Sequence, residues 1–187
     1  MRKTFSILLL AVAALTISAA TASAQDNNPM VGGAPMYRTK DIVDNAVNSA
    51  DHTTLVAAVK AAGLVETLKS RGPFTVFAPT NAAFDKLPSG TVETLLKPEN
   101  KAMLSKVLTY HVVAGRYDAK KIMQLIKKGG GVATLRTVSG GTLTARMSGM
   151  NGITLTDEQG GSSNVTTADV YQSNGVIHVV DTVLMPR

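Results

Sequence analysis

Three histidines, His52, His111 and His178, are the side chains of this sequence best suited to act as a general base or to bind a metal ion. A zinc site needs three or four ligands, and the chain has no cysteine that could complete one. His111 and His178 stand beside residues of predicted strands, where a histidine is usually neutral and hydrogen bonded to the backbone or to a hydroxyl. We therefore predict that both are structural, with a metal or general-base pair as the alternative.

Two polar residues in the middle of the chain, Thr80 and Asn81, could either bind a ligand or organise a turn. Thr80 follows an apolar stretch and precedes a helical pattern, so its hydroxyl can accept a free N–H group of the first helical turn. We predict that Asn81 ties this turn to a neighbouring strand through side-chain to backbone hydrogen bonds. A contact between Asn81 and a ligand is the alternative.

Other catalytic patterns are absent from the sequence. Without cysteine, thiol catalysis and thiolate metal sites are excluded. The Gly-x-Ser-x-Gly pattern of a hydrolase nucleophile is missing. The glycines at 129–131 follow a predicted helix and open a predicted strand, which is the reverse of a phosphate-binding loop, and no Gly-Lys-Ser/Thr follows them. The sequence thus predicts a protein that is not an enzyme and uses no cofactor.

Residues 72–88, the central segment, position these polar side chains. Phe74, Val76 and Ala78 alternate with Thr75 and Phe77, which predicts a strand. A short helix capped by Thr80 should follow and end before Pro88. Three of the four phenylalanines of the chain lie in this segment, so we expect the core to be built on it.

The rest of the pattern changes from helices to strands along the chain. Apolar residues at helical spacing predict helices before and after the central segment, the last of them over residues 119–128. From residue 132 onward the period becomes two, and Asn-Gly and Gly-Gly pairs mark the turns of hairpins. Helices first and strands last predict an α+β fold rather than alternating βαβ units.

The N-terminal residues predict export. Arg2 and Lys3, an apolar run and a small-residue cleavage site at residues 22–24 indicate a signal peptide over residues 1–24. Residues 25–38 are then expected to form a flexible leader, and residues 39–187 a single domain. No later apolar run approaches the ~20 residues of a membrane helix, so no transmembrane segment is expected after cleavage.

Removal of Arg2 and Lys3 lowers the formal net charge from +6 to +4. A solvated surface explains this modest excess of cations, and weak attraction to anionic polymers or surfaces is the alternative.

Three stretches in this order resemble the fasciclin domain family. Residues 72–81 read Gly-Pro-Phe-Thr-Val-Phe-Ala-Pro-Thr-Asn and are similar to the first conserved box of the family. Tyr110 and His111 resemble its central Tyr-His pair. Residues 174–186, the closing segment, begin Asn-Gly-Val-Ile-His-Val-Val-Asp and resemble its second box. The similarity extends over residues 39–186.

The resemblance implies two β-sheets packed as a wedge, with helices wrapped around one side and the two boxes on neighbouring central strands. It also implies an adhesion module that contacts a cell-surface or matrix protein or a glycan. With the signal peptide, we expect a secreted or periplasmic monomer that does not bind nucleic acid. A binding module for a small apolar or lipid-like ligand, held between the helices and the sheets, is the alternative. Tyr110 and the pair Asp169-Val170 resemble positions of integrin-binding motifs in animal members, although we expect Asp169 to be an ordinary loop or strand-end acid.

Overall fold

The computed structural model describes residues 28–150 and 152–187. In this part of the chain, a small hairpin and a group of short helices precede the run of strands. The helices are α1 Ile42–Ala46, α2 Thr53–Ala62, α3 Val65–Lys69, α4 Asn81–Asp85, α5 Thr91–Leu95, α6 Lys101–Tyr110 and α7 Ala119–Lys128, with 3₁₀ turns at Ala50–His52 and Pro98–Asn100. The strands are β1 Met30–Val31, β2 Ala34–Pro35, β3 Phe74–Pro79, β4 Val112–Ala114, β5 Val132–Arg136, β6 Thr142–Ser148, β7 Gly152–Thr156, β8 Ser162–Gln172 and β9 Gly175–Val180.

Local signals set the ends of several helices. The Asp41 carboxylate accepts the N–H of Asp44 at 2.8 Å at the start of α1, and Asp118 does the same for Lys121 at 2.7 Å in α7. Helix α2 ends at Gly63, whose φ of 73° lies in the left-handed region that glycine adopts without steric cost. Helix α7 covers residues 119–128, as the sequence predicts.

The large sheet places the two family-like boxes side by side. Its strand order is β4-β3-β9-β8-β7-β6-β5. Strand β3, from the central segment, pairs in parallel with β9, from the closing segment, so that Phe77 lies opposite His178. The remaining neighbours in this sheet are antiparallel. The expectation that the two boxes occupy neighbouring central strands is therefore confirmed.

Strand β8 joins the two halves of this sheet, which are β4-β3-β9 on one side and β7-β6-β5 on the other. It is 11 residues long, and its pairing with β9 shifts register twice, between Val165 and Thr167 and between Thr167 and Val170. Such irregularities bend a strand and increase its twist. An isolated bridge between Val113 and Thr137 brings the two edges of the sheet together, so the sheet is nearly closed. The predicted wedge corresponds to these two halves, and the α+β class is confirmed.

Two hydrophobic cores occupy the two faces of β3 and β9. All six residues of β9 are buried, as expected for a central strand covered on both faces. Val76, Ala78, Ile177 and Val179 face the helices α1, α2 and α6, and they belong to the first core. The second core fills the curled sheet beneath α7 and contains Phe77, Tyr110, Ile122, Ile126, Leu143, Leu155, Val180 and Leu184.

Residues 28–38 differ from the predicted flexible leader. Strands β1 and β2 form an antiparallel hairpin, and Met36 is buried in the first core. The N–H of Tyr37 donates to Asn45 Oδ1 at 2.9 Å, which fixes the end of the hairpin on α1. Burial of Met36 and Val31 offsets the entropy cost of ordering this segment, so the packed unit begins before residue 39.

The predicted signal peptide at residues 1–24 lies outside the described residues. Within residues 28–150 and 152–187, none of the helices combines the length and the apolar character that crossing a bilayer requires.

Candidate functional site

His178 lies on β9 and points into the second core. Its Nε2–H donates to the Tyr117 carbonyl at 2.8 Å, and its Nδ1 accepts the N–H of Asp169 at 3.3 Å. The ring stacks on Phe77 with centroids 5.6 Å apart. Because burial disfavours the charged form, the pKa of His178 is lowered. Both ring nitrogens are thus occupied by the backbone, and His178 is held neutral.

His111 follows α6 and is buried between the two cores. Its Nδ1–H donates to the Val107 carbonyl at 2.8 Å, and its Nε2 accepts the N–H of Leu184 at 3.0 Å. Burial lowers its pKa from 6.5 to about 4. The partners therefore assign opposite neutral tautomers to His111 and His178, in keeping with their predicted structural role.

His52 is the third histidine and lies in the 3₁₀ turn before α2. Its Nδ1 is 2.8 Å from Ser49 Oγ, and burial lowers its pKa. Its Nε2 is buried without a hydrogen-bond partner among the described residues. In the same residues no group of three or more histidine, aspartate or glutamate side chains is placed to hold a metal ion.

Tyr110, one of the possible interaction residues, is fully buried. Its hydroxyl donates to the Thr142 carbonyl at 2.6 Å and accepts the N–H of Glu158 at 3.1 Å. Burial raises its pKa to about 12. Tyr110 therefore joins the end of α6 to strand β6 and to the turn after β7, away from any surface contact.

Asp169 and Val170 lie in the irregular part of β8. Asp169 has a φ of 61°, and its Oδ1 accepts the N–H of Ala119 at 2.7 Å at the start of α7. A carboxylate is favourable there because the N-terminus of a helix carries partial positive charge. Val170 is 1% exposed. An integrin-like contact would need both side chains at the surface, whereas Val170 is buried and Asp169 joins β8 to α7. This link is more specific than the predicted role of an ordinary loop or strand-end acid.

Thr80 caps α4, as predicted, by accepting the N–H of Ala83 at 3.3 Å. The prediction that Asn81 bonds to a neighbouring strand is wrong, because its hydrogen-bond partners lie on the turn before α2 and at the start of α2. Asn81 Oδ1 accepts the N–H of Thr54 at 3.0 Å, and its Nδ2 donates to the Ala50 carbonyl at 2.9 Å. It therefore connects the central segment to the start of α2, where the unpaired N–H groups of a helix need acceptors.

Asn174, in the turn between β8 and β9, has a role that the sequence analysis missed. Its Oδ1 accepts the N–H of Ile42 at 3.1 Å, and its Nδ2 donates to the carbonyls of Leu68 at 2.7 Å and Ser70 at 3.2 Å. One amide thus joins the start of α1, the end of α3 and the last hairpin. The Asn-Gly pair signalled a hairpin, but no local pattern indicates partners more than a hundred residues away.

The surface around Asn174 forms an open groove of about 860 Å³. This polar groove is lined by residues 39–41, 69–73 and 173–174 together with Asp44 and Arg116. A Cβ at Gly72 would collide with the carbonyl oxygen of Asn174, so the close approach of the two turns requires glycine there. The backbone beneath the polar groove is therefore held in place by the Asn174 hydrogen bonds and by the close contact at Gly72.

A second, apolar cavity lies between helices α1, α2, α3 and α6 and the large sheet. Its volume is about 70 Å³. Pockets that bind drug-sized ligands have volumes of roughly 300–1,000 Å³. The cavity therefore occupies the position where the sequence alternative placed an apolar ligand, but it is too small for one.

The fasciclin domain model matches residues 50–186 of this sequence. The chain belongs to the fasciclin domain family. Protein sll1483 of Synechocystis sp. is 44% identical over 171 residues, which cover 91% of this fasciclin domain protein and 87% of that relative. The cell surface glycolipoprotein MPB83 of Mycobacterium bovis is 34% identical over 165 residues, with 85% and 67% covered. The immunogenic protein MPB70 of the same species is 37% identical over 146 residues, with 75% and 66% covered.

A solved structure also shares the fold. A FAS1 domain pair from the insect cell adhesion molecule fasciclin I matches with a TM-score of 0.69 at 19% identity. The match covers 78% of this chain and 51% of that one, so the chain spans about half the length of the domain pair. At this identity the likeness shows the fold, and the family points to an extracellular adhesion-type module.

Proposed function

We propose that this fasciclin domain is exported through its N-terminal signal peptide, as a secreted or periplasmic monomer, and acts by surface contact without catalysis. The proposal rests on the hydrogen bonds of the residues that resemble the family motifs. Internal partners bind the polar side-chain atoms of Thr80, Asn81, Tyr110, His111 and His178. A partner would therefore contact other residues, on the outer surface.

The names of related proteins also support a role at the cell surface. MPB83 is named a cell surface glycolipoprotein, and fasciclin I is named a cell adhesion molecule. We propose as partner a protein or glycan of a cell surface or matrix. The alternative function, binding of a small apolar or lipid-like ligand, is not favoured because the cavity of about 70 Å³ does not accommodate such a molecule.

The test is binding of the exported chain to the cell envelope of its source. Beads that carry the folded protein are mixed with isolated envelope, and the retained fraction is compared with that of beads carrying an unrelated monomer of equal net charge. We expect specific, saturable retention that disappears when the protein is unfolded.

The variant His111→Gln alters only the interior and serves as the internal control. Its folded fraction should bind envelope as the unchanged chain does. Equal retention of the unrelated basic protein would contradict the proposal. So would turnover of any envelope component that is lost when His111 is replaced.

A further inference from the structure

The polar groove is a concave surface to which the proposed function assigns no specific partner. Lys40, Arg71 and Arg116 lie along it and are exposed. Lys40 Nζ lies 4.9 Å from the centre of the Tyr37 ring, and Arg116 donates to the Gln172 carbonyl at 3.4 Å. Within the described residues, no salt bridge joins these three cations to a carboxylate. Their charge is therefore open to a ligand.

The acidic residues of the polar groove are already engaged. Lys69 Nζ lies 2.5 Å from Asp44 Oδ1 and 3.6 Å from Asp41 Oδ2. Asp41 also accepts a backbone N–H at the start of α1. The lining thus contains four cations and two carboxylates, and the two carboxylates share one of the cations. An anion that enters the groove meets a net positive surface.

The lining also indicates the kind of anion. Pro73 is the sole apolar side chain among the groove residues, and Thr39, Ser70, Ser173 and Asn174 supply hydroxyl and amide groups. The energetic centres of protein interfaces combine arginine with buried aromatic residues, and the groove lining has arginines but no aromatic side chain. A hydrated polymer that carries hydroxyl groups and negative charges can instead replace its bound water with hydrogen bonds to these side chains and ion pairs with the cations.

We infer that the polar groove binds an acidic polysaccharide, whose carboxylate or sulfate groups pair with Lys40, Arg71 and Arg116. The inference rests on the proposed function, because it names the chemical class of the surface partner. The hydrogen bonds of Asn174 hold together the backbone turns beneath the groove, from which these cationic side chains extend.

Direct binding of polymers tests the inference. The exported chain is titrated with polygalacturonate, which carries carboxylates, with dextran sulfate, and with uncharged dextran. We expect binding to at least one charged polymer, weakening as salt is added, and none to dextran. The charged polymer that binds more tightly identifies the preferred acidic group.

The decisive comparison uses two triple variants that each remove three cations. One carries Lys40→Gln, Arg71→Gln and Arg116→Gln in the groove. The matched control carries Lys97→Gln, Lys127→Gln and Arg146→Gln at exposed positions elsewhere. We expect the groove variant to lose affinity at least tenfold and the control to lose less than threefold. If the groove triple variant does not fold, the single variant Arg71→Gln is compared with Lys97→Gln, and only the former should weaken binding.

Equal losses in the two variants would overturn the inference, because they would show general charge attraction. Absence of binding to both charged polymers would overturn it as well. The same variants in the envelope assay separate this inference from the proposed function. Unchanged retention of the groove variant on envelope refutes the groove alone, whereas failure of the unchanged chain to bind envelope refutes the function. If protease treatment of the envelope abolishes its retention by the unchanged chain, and the groove substitutions do not, the partner is a protein and the inference is contradicted.

Discussion

Replacement of Phe77 by alanine is expected to lower the free energy of unfolding by about 3–5 kcal/mol. Phe77 is 0% exposed, belongs to the second core and stacks on His178 across the parallel β3–β9 pair. Alanine would remove the ring and leave a cavity beside a neutral imidazole that keeps its backbone partners. The loss is a large part of the roughly 5–15 kcal/mol by which domains are stable.

The measurement is urea unfolding followed by far-ultraviolet circular dichroism, since the chain has no tryptophan to report the transition. Phe77→Leu is the milder companion and should lose about 1–2 kcal/mol, because most of the volume is kept. Met103→Ala is the control at an exposed site and should change stability by less than ~0.5 kcal/mol. A loss below about 1 kcal/mol for Phe77→Ala would mean that the ring does not support the core.

Mild acid is expected to destabilise the protein through its buried histidines. The pKa of His111 falls from 6.5 in the unfolded chain to about 4 in the folded protein, so the unfolded chain takes up the proton first. The stability that this group contributes is present above pH 6.5 and is lost as the pH falls from 6.5 toward 4. Linkage gives a loss of about 2 kcal/mol between pH 7 and pH 5 from His111 alone.

The lowered pKa values of His178 and His52 add to the same trend. The carboxyls of Asp44, Glu158 and Asp181 also have lowered pKa values, but their ordinary values of 3.8–4.5 place their effect at lower pH. Unfolding curves at pH 7, 6 and 5 measure the slope. His111→Gln cannot titrate, so it should be less stable at pH 7 and lose less on acidification. Identical slopes for the two proteins would contradict the assignment of His111.

Local patterns made much of this fold predictable. The alternation in residues 74–78, the Thr80 cap and the helical spacing of residues 119–128 are signals that lie within one element, and the structure follows them. The strands after residue 132 are also local, because their turns are marked by Gly-Gly and Asn-Gly pairs. The parallel pairing of β3 with β9 joins distant parts of the chain, and only the family resemblance indicated it.

The features that the sequence did not show depend on distant partners. The sequence predicts that Asn81 bonds to a strand, but the N–H and the carbonyl that its amide contacts belong to Thr54 and Ala50, about thirty residues earlier. The order of residues 28–38 depends on Met36 reaching a core formed by later elements. The polar groove gathers cations from separate loops, so their spacing along the chain gave no sign of it.

His111 of the Tyr-His pair and His178 of the second box stabilise the fold and leave partner contact to the surface. Long-range ¹H–¹⁵N nuclear magnetic resonance of the imidazoles tests it most directly, over pH 7.5 to 5.5 and with added Zn²⁺. We predict a single neutral tautomer for each ring, with the proton on Nδ1 of His111 and on Nε2 of His178, and no response to zinc. Titration of either ring near pH 6.5, or a shift on addition of zinc, would contradict the account.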